Sequence, residues 1–313
     1  MLIKSAAGHE ADIAALEALL RVPGVAAQTQ QRIEAEIRQI RAGDKAERDA
    51  AYDIEFHFGQ AHSWATIHDL RVEHGGFAAQ IDHLIINRLG EVWVCESKHF
   101  AEGVSVNEHG EWSRWWQGRS EGIPSPVEQN HRHIVLLERV LDDGLVRLPR
   151  RLGLVAMKPD LRSLVLVSNG AKIGRPKRAV PGLDEVLKVE QLKTRLFDAF
   201  DATPAWKLSR VIGKEGLEAF ARDLAALHRP ATVDWGARFG IGGASPERSV
   251  RAADALPADA STTVAASPQR RGSGHRCASC GKAVSFAVVK FCWNNPKRFG
   301  GSVYCMDCQP QFR

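Results

Sequence analysis

The segment from position 80 to 98 constrains the fold of this chain more than any other. It reads Gln80-Ile81-Asp82-His83-Leu84-Ile85-Ile86, a short turn ending in Gly90, then Val92-Trp93-Val94-Cys95-Glu96-Ser97-Lys98. Two apolar runs rich in β-branched residues, separated by a brief glycine-containing turn, predict a β-hairpin. With Arg88-Leu89-Gly90 as the loop and Gly90 in the left-handed position, Asn87 faces Glu91, Leu84 faces Val94 and Asp82 faces Glu96. Side chains alternate along a strand, so Asp82, Leu84, Val94, Glu96 and Lys98 share one face. Opposed residues have Cβ atoms about 4.5–5.5 Å apart, where like charges repel. The Asp82–Glu96 pair therefore calls for a cation, most simply a divalent metal, with Lys98 one step along. Val92 and Val94 share that face while Trp93 and Cys95 line the other. A strand apolar on both faces is central, which sets Glu96 and Lys98 apart from casual surface charges.

Around the hairpin, residues 10–20 and 28–41 have helical apolar spacing and are separated by Pro23-Gly24, predicting a helical hairpin. Gly43-Asp44 is expected to end the second helix and begin another, capped by Asp44, that runs to about Phe58. A strand is expected over 63–72, closed by Gly75-Gly76. Trp112, Trp115 and Trp116 mark another strand or an aromatic lid, and their indoles are expected to pack rather than to stack on unpaired bases. A helix over 125–141, a strand over 161–167 and a helix over 184–200 follow. The order predicts an α/β layer fold with a mixed central sheet flanked by helices. Residues 229–274 are rich in Ala, Ser, Pro, Gly and Arg and read as a flexible linker.

Charge is uneven along the chain. The net charge of +5 combines a tail from residue 267 onward at +7 with a remainder at −2. Within that remainder, residues 147–178 hold nine basic residues against Asp160 alone. Such fields suit a polyanion partner, although a solvated surface accounts equally well for the second stretch. His9, Glu10 and Asp12 interrupt any apolar leader, and no apolar run approaches the length of a membrane span. A cytoplasmic location is expected, with the six cysteines as thiols and metal ligands rather than disulfides.

A nuclease needs a metal to polarise the phosphoryl oxygen and to acidify the attacking water. Hard carboxylate oxygens select magnesium or manganese. Asp82 and Glu96 meet that need, Lys98 serves as base or as charge stabiliser, and Glu47 can add a carboxylate from the preceding helix. His83 points away from Asp82 and reads as a hydrogen-bonded core histidine rather than a ligand, and His99 is likewise turned away from Lys98.

Residues 43–141 resemble the NERD (nuclease-related) domain of the PD-(D/E)xK restriction-endonuclease-like superfamily. The matching features are Glu47 in its Gly43-to-Glu47 opening, Gln80-Ile81-Asp82-His83, Gly90, Glu96-Ser97-Lys98, and Pro126 with Gln129-Asn130 opening the next helix. In the opening, Ala46 stands where a glycine is more typical. The resemblance implies a metal-dependent nuclease core with Glu47, Asp82, Glu96 and Lys98 at active-site positions and Gln129 as a helper.

Cys277-Ala278-Ser279-Cys280 and Cys305-Met306-Asp307-Cys308 form two Cys-x-x-Cys knuckles. Each supplies two thiolates from one turn, and together they complete a tetrahedral zinc shell, with Gly281 fitting the turn. So short a segment needs the metal to fold. Cys292 reads as a spare thiol beside Phe291 and Trp293. The segment is similar to four-cysteine topoisomerase-type zinc fingers. Its charge, interleaved with Phe286, Phe291, Trp293, Phe299 and Tyr304, suits nucleic acid.

The expected organisation is an N-terminal helical hairpin over 1–42, a nuclease-like domain over 43–228, the linker over 229–274 and a zinc finger over 275–313. The expected function is magnesium-dependent hydrolysis of phosphodiester bonds in DNA. The alternatives are an inactive nucleic-acid-binding adaptor and a regulatory protein whose finger recruits another protein.

Overall fold

The computed structural model describes residues 1–151, 155–204, 211–241, 277–282, 284, 288, 292, 296–299 and 302–312. The chain divides into two compact units, Met1–Ala255 and Leu256–Arg313. In the first, β1 (Leu2–Lys4) precedes α1 (Glu10–Leu20), α2 (Ala27–Phe58), β2 (Trp64–His74), β3 (Phe77–Asn87) and β4 (Glu91–Lys98). Next come β5 (Gly103–Val106), β6 (Trp112–Trp116), β7 (Arg119–Ile123) and α3 (Pro126–Asp142). After the short pair β8 (Arg150–Arg151) and β9 (Val155–Ala156) lie β10 (Asp160–Val167), β11 (Lys172–Gly174) and β12 (Val186–Lys188). Helices α4 (Leu192–Asp201), α5 (Lys214–Ala225) and α6 (Trp235–Phe239) close the unit.

The main sheet has the order β1-β2-β3-β4-β10-β12. Strands β2, β3 and β4 form an antiparallel meander, while β1, β10 and β12 each run parallel to their neighbours. Strand β4 is central, as its two apolar faces require. Leu84 pairs with Val94 and Ile86 with Val92, the expected register. Asn87 Nδ2 donates to Glu91 Oε2 at 2.7 Å, closing the hairpin end. Gly90 adopts φ +75°, which an L side chain rarely tolerates, and a Cβ there would also fall 2.6 Å from Met157 Cε.

One sheet face, with Leu84, Ile86, Val92 and Val94, packs beneath Leu137 and Val140 of α3 and Leu217 and Phe220 of α5. The other, with Ile85, Trp93 and Cys95, packs against Ile54 and Phe58 of α2 and Leu196 of α4. Burying each such side chain contributes about 1.5–3 kcal/mol. A second sheet, ordered β11-β5-β6-β7, takes β5, β6 and β7 from the segment between β4 and α3 and β11 from the chain after β10.

Several expectations need correction. Helix α2 runs unbroken through Gly43-Asp44 for 32 residues. A helical glycine costs about 1 kcal/mol relative to alanine. Burial on both sides offsets it: Ile33 and Ile37 pack against Leu16 and Trp235, and Ala50, Ile54 and Phe58 pack on the sheet. Asp44 does not cap a helix; its Oδ2 pairs with Arg48 Nη2 at 2.6 Å. The helix expected over 184–200 is confined to α4. The residues before it form two 3₁₀ turns around β12, because pairing of Val186 with Val165 extends the sheet.

The start of the expected linker is structured. Asp234 Oδ1 caps α6 by accepting from Ala237 N at 2.9 Å, and the buried Trp235 donates from Nε1 to Asp12 Oδ1 at 2.8 Å. Positions 242–274 of that linker lie outside the described residues. Of the three tryptophans, Trp112 packs in the core while Trp115 and Trp116 are 43% and 55% exposed. The basic stretch over 147–178 is not one patch. Arg162 pairs with Glu91 at 2.6 Å, Lys158 with Asp142 at 2.6 Å and Arg147 with Asp223 at 3.1 Å, while Arg175 donates to backbone carbonyls.

Candidate functional site

The site lies around Asp82 on β3 and the end of β4. Asp82 is 9% exposed and Glu96 3%. The ladder runs past Leu84–Val94 to His83–Cys95, and just beyond it the charge of Glu96 acts on the Asp82 carboxyl. Asp82 Oδ2 accepts from Ser97 N at 2.7 Å, so the hairpin backbone itself orients this carboxylate. Lys98 Nζ donates to Glu96 Oε1 at 2.6 Å. The other oxygen, Glu96 Oε2, is buried and accepts no hydrogen bond, with His133 Nδ1 3.5 Å away. Glu47 reaches toward this cluster from α2, a helix that packs on the opposite sheet face.

Electrostatics tie the three acids together. Burial pushes the Asp82 carboxyl well above the usual range, the charges of Glu96 and Glu47 push it further, and Lys98 and the Ser97 amide only partly oppose them. Burial likewise raises Glu47 to about 7; His9 opposes the rise, while Asp69, Glu96 and Asp44 add to it. Burial is the larger cause in both, and the neighbouring acids add to it. The hard oxygen donors and the unsatisfied buried Glu96 Oε2 fit a divalent ion such as magnesium or manganese.

Three contributors escaped the sequence reading. Asp69 stands where the β2–β3 ladder skips between the pairs His68–His83 and Leu70–Ile81, and has φ +53°. A non-glycine residue there is strained. Its carboxylate is held by Lys4 Nζ at 3.3 Å, the Ala7 amide at 3.3 Å and the Gln80 side chain. The signal was an aspartate, a poor strand former, in the middle of Ile67-His68-Asp69-Leu70. His133 lies four residues after Gln129 on the same helix face. Gln129 is half-buried in the first turn of α3, and it is His133 that lies against Glu96. Asn130 was quoted only as motif. Its Nδ2 donates to Val94 O at 2.8 Å, Ser163 Oγ at 2.9 Å and Leu164 O at 3.1 Å, locking α3 onto β4 and β10.

His83 is turned away from Asp82 as alternation requires. Its Nδ1 lies 2.8 Å from His68 Nδ1 and its Nε2 2.8 Å from Ser97 Oγ, and burial holds both imidazoles below their usual range. His99 is exposed beside Lys98. Both line a cleft of about 430 Å³ together with Lys45, Asp49, Tyr52 and Asp53 of α2 and with Asn169 and Gly170.

In the second unit, the sulfurs of Cys277, Cys280, Cys305 and Cys308 lie within 4.8 Å of one another. Among the described residues no other group of three or more metal-ligating side chains is gathered so tightly. Gly281, at φ +70°, turns its amide onto Cys277 O at 2.9 Å. Burial opposes ionisation of Cys277, yet amides of Cys305, Cys280 and Ser279 draw its thiol down to about 6. This quartet is compatible with a zinc finger. Cys292 is buried against Tyr304 and Gln309, accepting from Tyr304 N at 3.4 Å. Phe286, Phe291 and Trp293 lie outside the described residues, whereas Phe299, Tyr304 and Phe312 form one aromatic cluster.

Residues 42–166 match the family model of the nuclease-related domain. No curated protein and no solved structure gives a significant match to the chain. No helix among the described residues is long and apolar enough to cross a membrane.

Proposed function

We propose, on the match of residues 42–166 to the nuclease-related domain, that the protein hydrolyses phosphodiester bonds in DNA. Asp82 and Glu96 hold a magnesium or manganese ion, with Glu47 beside them. When bound, such an ion supplies Lewis acidity, lowering the pKa of water and offsetting charge on the phosphoryl oxygens. The Ser97 amide fixes Asp82, and the buried position of Glu96 leaves its carboxylate few orientations. Lys98 acts as a cation. Its ammonium already donates to Glu96 Oε1 at 2.6 Å, a geometry suited to stabilising negative charge on the phosphate, and it becomes a base only by losing that proton. His133 and Asn130 hold α3 against β4, Asn130 also ties it to β10, and Gln129 is presented from the same helix. Cys277, Cys280, Cys305 and Cys308 hold zinc, and the finger raises the local concentration of nucleic acid through its tether.

The observation that carries this reading is the mutual electrostatic influence of Asp82, Glu96 and Glu47 near the end of an apolar hairpin, with Asp82 and Glu47 driven toward protonation by burial first and by the neighbouring acids second. The test is incubation of the purified full chain with plasmid and linear DNA, with and without magnesium, beside Asp82→Ala and Lys98→Ala. Magnesium-dependent cutting that disappears in both variants is expected. Cutting that persists in them belongs to a contaminant and refutes the assignment; binding without cutting favours an inactive adaptor.

A further inference from the structure

The β3–β4 ladder ends at His83–Cys95, although β3 continues its pairing with β2, and β4 its pairing with β10 as far as Lys98. The two strands that carry Asp82 and Glu96 therefore part where the site begins. Two side chains of β3 bridge the parting, and both end on Ser97. Asp82 Oδ2 accepts from the Ser97 amide at 2.7 Å, and on the other sheet face His83 Nε2 lies 2.8 Å from Ser97 Oγ. Opposite His83 across the β2–β3 ladder, His68 places its Nδ1 2.8 Å from His83 Nδ1. His68 Nε2 is buried without a hydrogen-bond partner, and the acid that faces it, at 3.6 Å, is Glu55 Oε1 of α2.

One assignment of protons satisfies all of these contacts. His68 and His83 are 0% and 1% exposed, and burial keeps both rings neutral, so each has one N–H and one lone pair. A proton on His68 Nδ1 would leave a lone pair at Nε2, and two acceptors would face each other across 3.6 Å. A proton on Nε2 instead aims a donor at the Glu55 carboxylate and makes Nδ1 an acceptor. His83 must then donate from Nδ1, which leaves its Nε2 to accept from the Ser97 hydroxyl. Every bond runs the same way, from Ser97 through two imidazoles toward α2, an arrangement in which each polarises the next. Because the chain ends on a partly exposed acid, its direction is set from the protein surface. Ser97 is gripped at its hydroxyl by one β3 side chain and at its amide by the next, which fixes the separation of the strands that carry Asp82 and Glu96.

Resting on the reading of Asp82 and Glu96 as ligands of an ion, we propose that His68, His83 and Ser97 are positioning residues, a one-way hydrogen-bond chain oriented by Glu55 that holds Asp82 in place for the ion. Groups that orient ligands in this way are worth about 10- to 100-fold in metal affinity. The first measurement locates the ring protons by long-range proton–nitrogen correlation on the nitrogen-15-labelled full chain, near neutral pH and without added magnesium or manganese. The expected pattern is a proton on Nε2 of His68 and on Nδ1 of His83. Glu55→Gln, whose side-chain oxygen still accepts, keeps that pattern, and Glu55→Ala, at a partly exposed position, mixes it. The reverse pattern, a doubly protonated ring, or a pattern indifferent to Glu55→Ala overturns the proposal. The second measurement is manganese affinity. Ser97→Ala keeps the amide and removes the hydroxyl, and is expected to weaken manganese binding about 10-fold, with Ser97→Thr restoring most of the loss. A purely structural hydroxyl would lower the Tm of Ser97→Ala and leave manganese affinity unchanged, and that result also overturns the proposal. The expected proton pattern in a wild type that binds no manganese refutes the ion reading alone. Manganese held by Asp82 and Glu96 beside the reverse pattern refutes this inference alone.

Discussion

Replacing Glu47 by glutamine removes one of the three carboxylates of the proposed site, and the stability consequence can be worked out before any activity is measured. Glu47 is displaced from 4.5 to about 7. At about 1.4 kcal/mol per pH unit, that is roughly 3 kcal/mol. Its folded-state pKa lies above its unfolded value, so the native state binds more protons through that window. The stabilisation is complete below about pH 4.5 and is lost as pH rises through about 7. At pH 8 the metal-free wild type therefore carries an uncompensated buried charge, which also holds the Asp82 carboxyl up. Because the groups share their repulsion, about 2–3 kcal/mol is the expected gain for Glu47→Gln at that pH, or roughly 5–10 °C in Tm. The buried His68, lowered to about 4, acts with the opposite sign, its stabilisation being present above pH 6.5 and lost as pH falls toward 4. The readout is therefore the difference between variant and wild type rather than the absolute profile. The assay is thermal unfolding from pH 5 to 8, with and without magnesium. Without metal the two proteins converge at low pH and the variant is the more stable at pH 8; with magnesium the gap closes or reverses. A variant that is no more stable than wild type at pH 8 without metal would refute the reasoning, because Glu47 would then be neither desolvated by burial nor pressed by the other acids.

Gly43 is helical, and a Cβ there would meet Glu47 Oε1 at an ordinary 4.0 Å, so Gly43→Ala should raise Tm by the equivalent of about 1 kcal/mol; a destabilised variant argues against a continuous α2. Asn130→Ala removes the amide that serves Val94 O, Ser163 Oγ and Leu164 O, and is expected to cost about 1–3 kcal/mol in denaturant unfolding. Chelation should release one zinc per chain, measured by a colorimetric indicator, and abolish the folded signature of the C-terminal unit; a Cys305→Ser protein that retains full zinc contradicts the four-cysteine assignment.

The hairpin was legible because two local rules coincide in it: period-two alternation with a three-residue glycine loop leaves only one register. That register carries the ladder to His83–Cys95, with Asp82 and Glu96 next along their strands, and directs His83 to the opposite face from Asp82. Features decided by tertiary contacts were not legible. Nothing local in Gly43-Asp44 reveals that both halves of α2 are clamped, one by α1 and α6 and the other by the sheet. Val186 and Leu187 fit a helical pattern and become an edge strand because β10 offers them a partner. Trp115 and Trp116 have the composition of core residues, and only their place at the tip of a hairpin leaves them exposed. His133 could have been found from its spacing to Gln129. Asp69 required a ladder irregularity that no spacing rule encodes.

The most direct test of the account is titration of the full chain with manganese, followed by electron paramagnetic resonance of the free ion. Oxygen donors bind manganese and the cysteine quartet does not compete for it. A bound ion that is lost in Asp82→Ala and in Glu96→Ala, with zinc content unchanged, is the result the account predicts. No bound manganese in the wild type, or binding indifferent to both substitutions, would contradict it.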